Sequence, residues 1–300
     1  MKAIVFGGAG FLGSHVADAL SAAGHCVTIF DCRPSTFLQP NQRFILGDIL
    51  DAAQVMAAVA DQNVVYNFAG LADLDHATTQ PAETVQLNVL GCVNVLEAAR
   101  AATVTRFALA STIYVYSDAG GFYRASKQAA EIYVEEYQRR YGLDYTILRY
   151  GTLYGRRATD RNTVHRYLRE ALDERRITVN GTGDEVREYI HVEDAAQASV
   201  RILDADFRNQ HVILTGHHAM RVTDLLTMIR EIVGSDVKLD IRPEIRVAPG
   251  LDAHYQLTPY AFRPKMARKL VSHYYVDMGQ GLVDCLAEIA ETLALAAPGS

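Results

Sequence analysis

The chain has 300 residues, 49% of them apolar and 21% charged, with a formal net charge of −6. A chain of this length buries about three quarters of its unfolded surface, so it needs no disulfide or metal staple, and the composition excludes a disordered chain. The acidic balance gives no reason to expect a nucleic-acid or anionic-membrane partner, and no apolar run reaches the ~18 residues of a membrane helix.

Met1-Lys2-Ala3-Ile4-Val5-Phe6 runs straight into glycines. It reads as a buried strand over Ala3–Phe6, not as a signal peptide, and the expected compartment is the cytoplasm. Leu12, Val16, Ala17, Leu20 and Ala23 recur at helical spacing until Gly24 stops them. Strands are predicted at Cys26–Asp31, Arg43–Leu46 and Val64–Phe68, with a helix over Asp51–Ala60 whose leading acid suits the helix dipole. A long helix over Glu83–Ala102, a strand at Arg106–Ala110, a long helix over Arg124–Tyr141 and a strand at Tyr145–Arg149 complete the first half. Strict alternation of strand and helix predicts a doubly wound parallel α/β sheet, with its ligand crevice at the carboxyl ends of the strands.

The second half is less regular. Helices are predicted at Thr163–Arg175, Val192–Leu203, Val222–Val233 and Gly281–Ala296, and strands at Ile177–Asn180, His211–Thr215 and Val237–Arg242. The change of rhythm predicts a smaller lobe: residues 1–155 with 186–204 would hold a dinucleotide, and 156–185 with 205–300 a substrate. Cys26, Cys32, Cys92 and Cys285 form no C-x-x-C pair and read as free core thiols. The histidines form no H-E-x-x-H pattern, so no metal site is expected.

Gly7-Gly8-Ala9-Gly10-Phe11-Leu12-Gly13 follows the first strand and opens the first helix. Its glycines let the backbone turn tightly and approach a pyrophosphate, which the helix N-terminus attracts. Asp31, 18 residues past Gly13, ends the second strand, where a carboxylate can bond the adenosine ribose. It would repel a 2′-phosphate, which favours NAD over NADP, with Arg33 close by. Asp48-Ile49 is expected at the adenine rim, and Ala69-Gly70 lets the backbone pass close to the dinucleotide. Tyr123 and Lys127, four apart on a helix start, share a face. An ammonium beside a phenol should lower its pKa and make it a base. Ser111-Thr112, just past the fifth strand, offers hydroxyls to hold a substrate oxygen.

These residues together resemble the extended short-chain dehydrogenase/reductase family, and within it the nucleotide-sugar epimerases. The likeness extends through Asn88–Ala99, Leu148–Gly155 and Gly181–Asp194, while Arg263–Arg268 only loosely resembles the family's late motif. The resemblance implies a Rossmann fold, NAD as cofactor, a nucleotide-diphosphate sugar as substrate with a UDP-hexose favoured, and a homodimer through helices 83–102 and 124–141. Thr112 would hold the reacting hydroxyl, Tyr123 would take its proton, and Lys127 would bind the nicotinamide ribose. Asn88, Ser111 and Tyr150 would line the cofactor. Thr152 and Arg187 would contact the sugar nucleotide, with a surface ion pair to Glu185 or Glu188 as the rival role for Arg187.

There are departures from the family pattern. Only 11 positions separate Thr112 from Tyr123, where relatives have a longer loop. The site should then be more open, or another segment should do the covering. Ile113 follows Thr112, where 4,6-dehydratases carry Asp-Glu. The expectation is therefore an epimerase acting at C4 through a keto intermediate. The rivals are a keto-sugar or carbonyl reductase and a non-catalytic dinucleotide sensor.

Overall fold

The computed structural model describes residues 1–242, 268–270 and 275–296. Strand β1 (Lys2–Phe6) leads into α1 (Phe11–Ala22), β2 (Cys26–Asp31) and β3 (Gln42–Leu46). Helix α2 (Ala52–Val59) is capped by Asp51, whose carboxylate accepts the N–H groups of Ala53 and Gln54. It is followed by β4 (Val64–Asn67), α3 (Leu74–Thr79) and α4 (Pro81–Val85), then a π-helical turn over Gln86–Leu90 and α5 (Gly91–Ala101). Next come β5 (Arg106–Thr112), a 3₁₀ turn at Ile113–Tyr116, α6 (Gly121–Tyr141), β6 (Tyr145–Tyr150) and β7 (Thr152–Tyr154). The remainder is α7 (Thr163–Asp173), β8 (Arg176–Asn180), β9 (Val186–His191), α8 (Val192–Arg201), β10 (Gln210–Leu214), β11 (Ala219–Arg221), α9 (Val222–Val233), β12 (Lys238–Arg242), β13 (Arg268–Lys269) and α10 (Met278–Ala296).

The main sheet has eight parallel strands in the order β13-β10-β6-β5-β4-β1-β2-β3, the two-residue β13 lying at the edge. Every residue of β4 and β6 is buried, as a sheet covered on both faces requires. This is the doubly wound Rossmann arrangement that the alternation predicts. The chain builds outward from β1 to β3, then returns to β4 on the other side of β1. The crevice created by that reversal opens at the carboxyl ends of β1 and β4.

One core packs α2, α5 and α6 on the sheet, and a second packs α1 and α8 on its other face. A third core joins α7, α9, α10 and β8. Small sheets, β11-β9-β7 and β12-β8, complete the second half.

Four features differ from expectation. The helix expected over Glu83–Ala102 is interrupted by the π turn. Ser111 and Thr112 lie inside β5, because they pair in register with Arg149 and Tyr150 of β6. Residues 186–191 form β9, paired with both β7 and β11. Cys26 and Cys32 are exposed, so the expectation of core thiols holds for Cys92 and Cys285 alone. The late motif at 263–267, and the parts of the expected substrate lobe at 243–267, 271–274 and 297–300, lie outside the described residues. Among the described residues no helix is long and apolar enough to cross a membrane.

Candidate active site

The glycine loop packs at van der Waals limits. Gly7 adopts a left-handed backbone, φ +74°, and donates its N–H to Phe30 O at 2.9 Å. A Cβ on Gly7 would stand 2.7 Å from the backbone nitrogen of Ala69, and one on Gly13 would stand 2.2 Å from the carbonyl oxygen of Gly7. Gly7, Gly10 and Gly13 thus bring β1, α1 and the Ala69-Gly70 segment together at the crevice. Gly10 caps α1 without a side chain, so the first-turn N–H groups at Phe11, Leu12 and Gly13 can meet a phosphate. This cradle fits a dinucleotide pyrophosphate.

Asp31 ends β2 and ties the loop down: one carboxylate oxygen accepts Ala9 N–H at 3.0 Å, the other Arg33 N–H at 3.2 Å. Asp48 accepts the N–H of Leu50 at 2.9 Å and is exposed. Ile49 is buried in the core, and its carbonyl holds Asn94. With Asp31 at this position, Asp31→Asn should cut discrimination against NADP by about tenfold or more, because the like-charge contact with a 2′-phosphate disappears. Coenzyme titrations of wild type and variant check this; a wild type that already prefers NADP would assign the choice to Arg33.

Tyr123 and Lys127 both rise from the first turns of α6 and both are buried. The Lys127 ammonium lies 5.9 Å from the Tyr123 ring centroid and donates to Ala110 O at 3.1 Å. Tyr123, only 9% exposed, packs with Leu71, Ala77, Leu74 and Leu87, and Tyr114 meets its ring edge-on at 6.4 Å. The short loop therefore does not leave the tyrosine open. Ile113–Tyr116 and the segment 71–87 cover it.

This burial corrects the expected acidity. Desolvation pushes the Tyr123 phenol up to about 12, against a hydrogen bond with Thr112 that pulls it down. Desolvation likewise pushes Lys127 down to about 8. The apolar surroundings therefore set the phenol's acidity, and the Lys127 ammonium, 5.9 Å from its ring centroid, does not offset them. Positive charge brought into the crevice with a ligand is what would favour the phenolate.

Asn88 sits in the π turn, which aims its amide at the segment after β4. Its Oδ1 accepts Leu71 N–H at 2.7 Å, while its Nδ2 donates to Leu71 O and Ser126 Oγ, each at 2.9 Å. Asn88 thereby fixes Gly70, φ +150°, beside the crevice. Tyr150 is buried and shares a 2.6 Å hydrogen bond with Ser199, which places its hydroxyl against α8. Thr112 Oγ1 accepts Tyr114 N–H at 3.2 Å and starts the 3₁₀ turn.

Ser111 Oγ donates to Glu131 at 2.5 Å, and Glu131 is paired with Arg149. Neither Glu131 nor Arg149 was singled out from sequence. Glu131 lies four residues after Lys127 on the same helix face, and Arg149 is a charge within an otherwise uncharged strand. Those were the available signals.

Thr152 begins β7, opposite Tyr189 of β9. Arg187 is half-buried on β9, with Nη1 donating to Val186 O at 3.1 Å. Glu185 accepts Thr182 and Gly183 N–H groups at 3.0 and 2.9 Å and its pKa is also held down by the charge of Arg187, and Glu188 meets Lys269 at 3.3 Å.

A model of the NAD dependent epimerase/dehydratase family matches residues 3–216. A dTDP-glucose 4,6-dehydratase of Mycobacterium tuberculosis is 31% identical over 235 residues, 68% of this chain and 69% of its own. A Methanocaldococcus jannaschii protein provisionally named UDP-glucose 4-epimerase is 27% identical over 252 residues, 77% of this chain and 82% of its own. In structure, the UDP-glucose 4-epimerase of Thermotoga maritima, solved with UDP-glucose, superposes with a TM-score of 0.82 at 24% identity, covering 98% of this chain and 100% of that one.

Proposed function

This chain belongs to the NAD-dependent epimerase/dehydratase family, of the extended short-chain dehydrogenase/reductase type, and from that premise we propose that it inverts C4 of a nucleotide-diphosphate hexose, a UDP-hexose being favoured, through a 4-keto intermediate. One observation carries the reading. Tyr123 and Thr112 are both buried, with Thr112 pulling the pKa of the Tyr123 phenol down, and the residue that follows Thr112 is the buried, apolar Ile113. Tyr123 and Thr112 can remove and return one hydroxyl proton. Ile113 supplies no carboxylate to expel water from the neighbouring carbons, as a dehydratase needs.

NAD held in this crevice would supply a hydride acceptor and donor. The chain's own residues supply position and proton transfer. Thr112 holds the reacting hydroxyl, Tyr123 takes its proton and later returns it, and Lys127 binds the nicotinamide ribose and supports the phenolate. Gly7, Gly10, Phe11, Leu12 and Gly13 hold the pyrophosphate. Asp31, Asp48 and Ile49 hold the adenosine end, and Ala69, Gly70, Asn88, Ser111 and Tyr150 frame the crevice. Arg187 clamps the substrate diphosphate with its fork of donors, and Thr152 contacts the sugar nucleotide. The cofactor then belongs to residues 1–155 with 186–204, and the sugar nucleotide to the lobe of 156–185 with 205–300. A homodimer follows from the same reading: Ile132, Tyr133 and Tyr141 of α6 and Leu90 before α5 are exposed, and a partner's helices would cover them.

The test is turnover of UDP-, GDP-, CDP- and dTDP-hexoses by protein purified without added coenzyme. Denatured protein should release NAD, and at least one hexose should equilibrate with its C4 epimer. One NAD(P)H consumed per turnover would make the protein a reductase, and dinucleotide binding with no conversion would make it a sensor.

A further inference from the structure

Beneath the catalytic side chains lies a buried polar cluster that the chemistry above does not use. Glu131 and Arg149 are 2% and 1% exposed. Arg149 reaches Glu131 with both Nε, at 3.0 Å, and Nη2, at 2.7 Å. Its Nη1 donates to the Tyr116 hydroxyl, and its guanidinium lies over the Tyr116 ring, 4.7 Å from the centroid. Nη2 also meets His211 Nδ1 at 2.7 Å, and His211 Nε2 lies 3.1 Å from Glu135. Arginine only donates, so His211 accepts through Nδ1 and carries its proton on Nε2, facing Glu135. Glu131, finally, accepts a hydrogen bond from the Ser111 hydroxyl at 2.5 Å.

These contacts join five segments: β5 at Ser111, the 3₁₀ turn at Tyr116, α6 at Glu131 and Glu135, β6 at Arg149 and β10 at His211. Thr112 sits between Ser111 and the 3₁₀ turn, and Tyr123 and Lys127 sit two turns and one turn before Glu131 on α6. We propose that the Glu131–Arg149 pair is a positioning device that sets Thr112 against Tyr123, doing in this chain with a buried strut what the short loop between them cannot do by itself. The inference rests on the epimerase reading for its kinetic effect, though not for its geometry. A buried ion pair is weak evidence for stability, since an apolar pair of similar volume often serves as well. Its place on the helix of Tyr123 and Lys127, with further arms to the 3₁₀ turn and to Ser111, is what a positioning role explains.

The test separates positioning from stability. The double variant Glu131→Gln with Arg149→Met removes both charges together, so no lone buried charge is left to unfold the protein. In the NAD-loaded enzyme it should keep its melting temperature, its NAD affinity and the KM for the sugar nucleotide, while kcat falls about 10²-fold, the cost of roughly 1 Å of misplacement. Its crystal structure should show Thr112 withdrawn from Tyr123. Tyr116→Phe, which cuts only the arm to the loop, should lower kcat by about tenfold. Unchanged kcat in the double variant overturns the proposal, and so does a Thr112–Tyr123 separation in its crystal structure that matches that of wild type. If the double variant does not fold, Tyr116→Phe decides by the same two readouts. If wild type turns over no nucleotide sugar, the epimerase reading fails and the crystallographic comparison still decides the strut.

Discussion

Tyr123→Phe is expected to lower kcat by about 10²- to 10⁴-fold while NAD stays bound, the range for loss of a positioned general base. The ring remains, and with it the packing against Leu71, Ala77 and Tyr114, so the fold and the crevice survive. What disappears is the buried hydroxyl whose pKa Thr112 pulls down. Lys127 cannot substitute, because its ammonium is 5.9 Å from the Tyr123 ring centroid and donates to Ala110 O. Steady-state kinetics on the converted hexose, with the NAD content of the denatured variant as control, check the prediction. Activity near that of wild type would remove Tyr123 from the chemistry.

Gly13→Ala is expected to weaken NAD binding by about 10- to 100-fold, and to lower the melting temperature. The new methyl would lie 2.2 Å from Gly7 O, 2.9 Å from Gly7 C and 3.0 Å from Gly8 Cα. All three are backbone atoms, so no rotamer relieves the clash. Gly7 cannot retreat either, since it is held by Phe30 O and abuts Ala69. The start of α1 must move away from β1, at the ~1–3 kcal/mol or more typical of overpacking, and it carries the N–H groups that would meet the phosphate. Gly24→Ala is the control. It also has a left-handed backbone, φ +82°, but nothing lies within 4 Å of its added methyl, so stability should drop without loss of NAD affinity. Equal NAD affinity in Gly13→Ala and wild type would refute the role of the cradle.

Much of this architecture is legible in the sequence because local chemistry dictates it. A backbone turn that must pass under Ala69 admits only glycine at Gly7, and the helix that starts behind it needs Gly13. Asp31 is readable because the end of a strand next to that loop is a place defined by spacing. The parallel sheet follows from the alternation of elements, and the Tyr123–Lys127 pair from the helical repeat.

What escaped the reading depends on partners far away in the chain. The acidity of Tyr123 could not be judged from Lys127 alone, because the groups that bury it come from 71–87 and from Tyr114. β5 runs past its expected end at Ala110, because Ser111 and Thr112 are held in the ladder by Arg149 and Tyr150. Glu131 and Arg149 are 18 residues apart in sequence, and they stand on different elements, α6 and β6, so no periodicity within one element joins them. The π turn at Gln86–Leu90 has no signature in apolar spacing, and it is visible only through the Asn88 contacts with Leu71 and Ser126.

The most direct test of the epimerase account follows one hydrogen atom. A UDP-hexose deuterated at C4 is incubated with the NAD-loaded enzyme, and the product is analysed by NMR and mass spectrometry. If Tyr123 handles only the hydroxyl proton and the hydride is returned to the carbon it left, the C4 epimer keeps its deuterium at C4, with no net change in nicotinamide absorbance. Deuterium lost from C4 or moved to another carbon, or coenzyme consumed in step with product, would contradict the account.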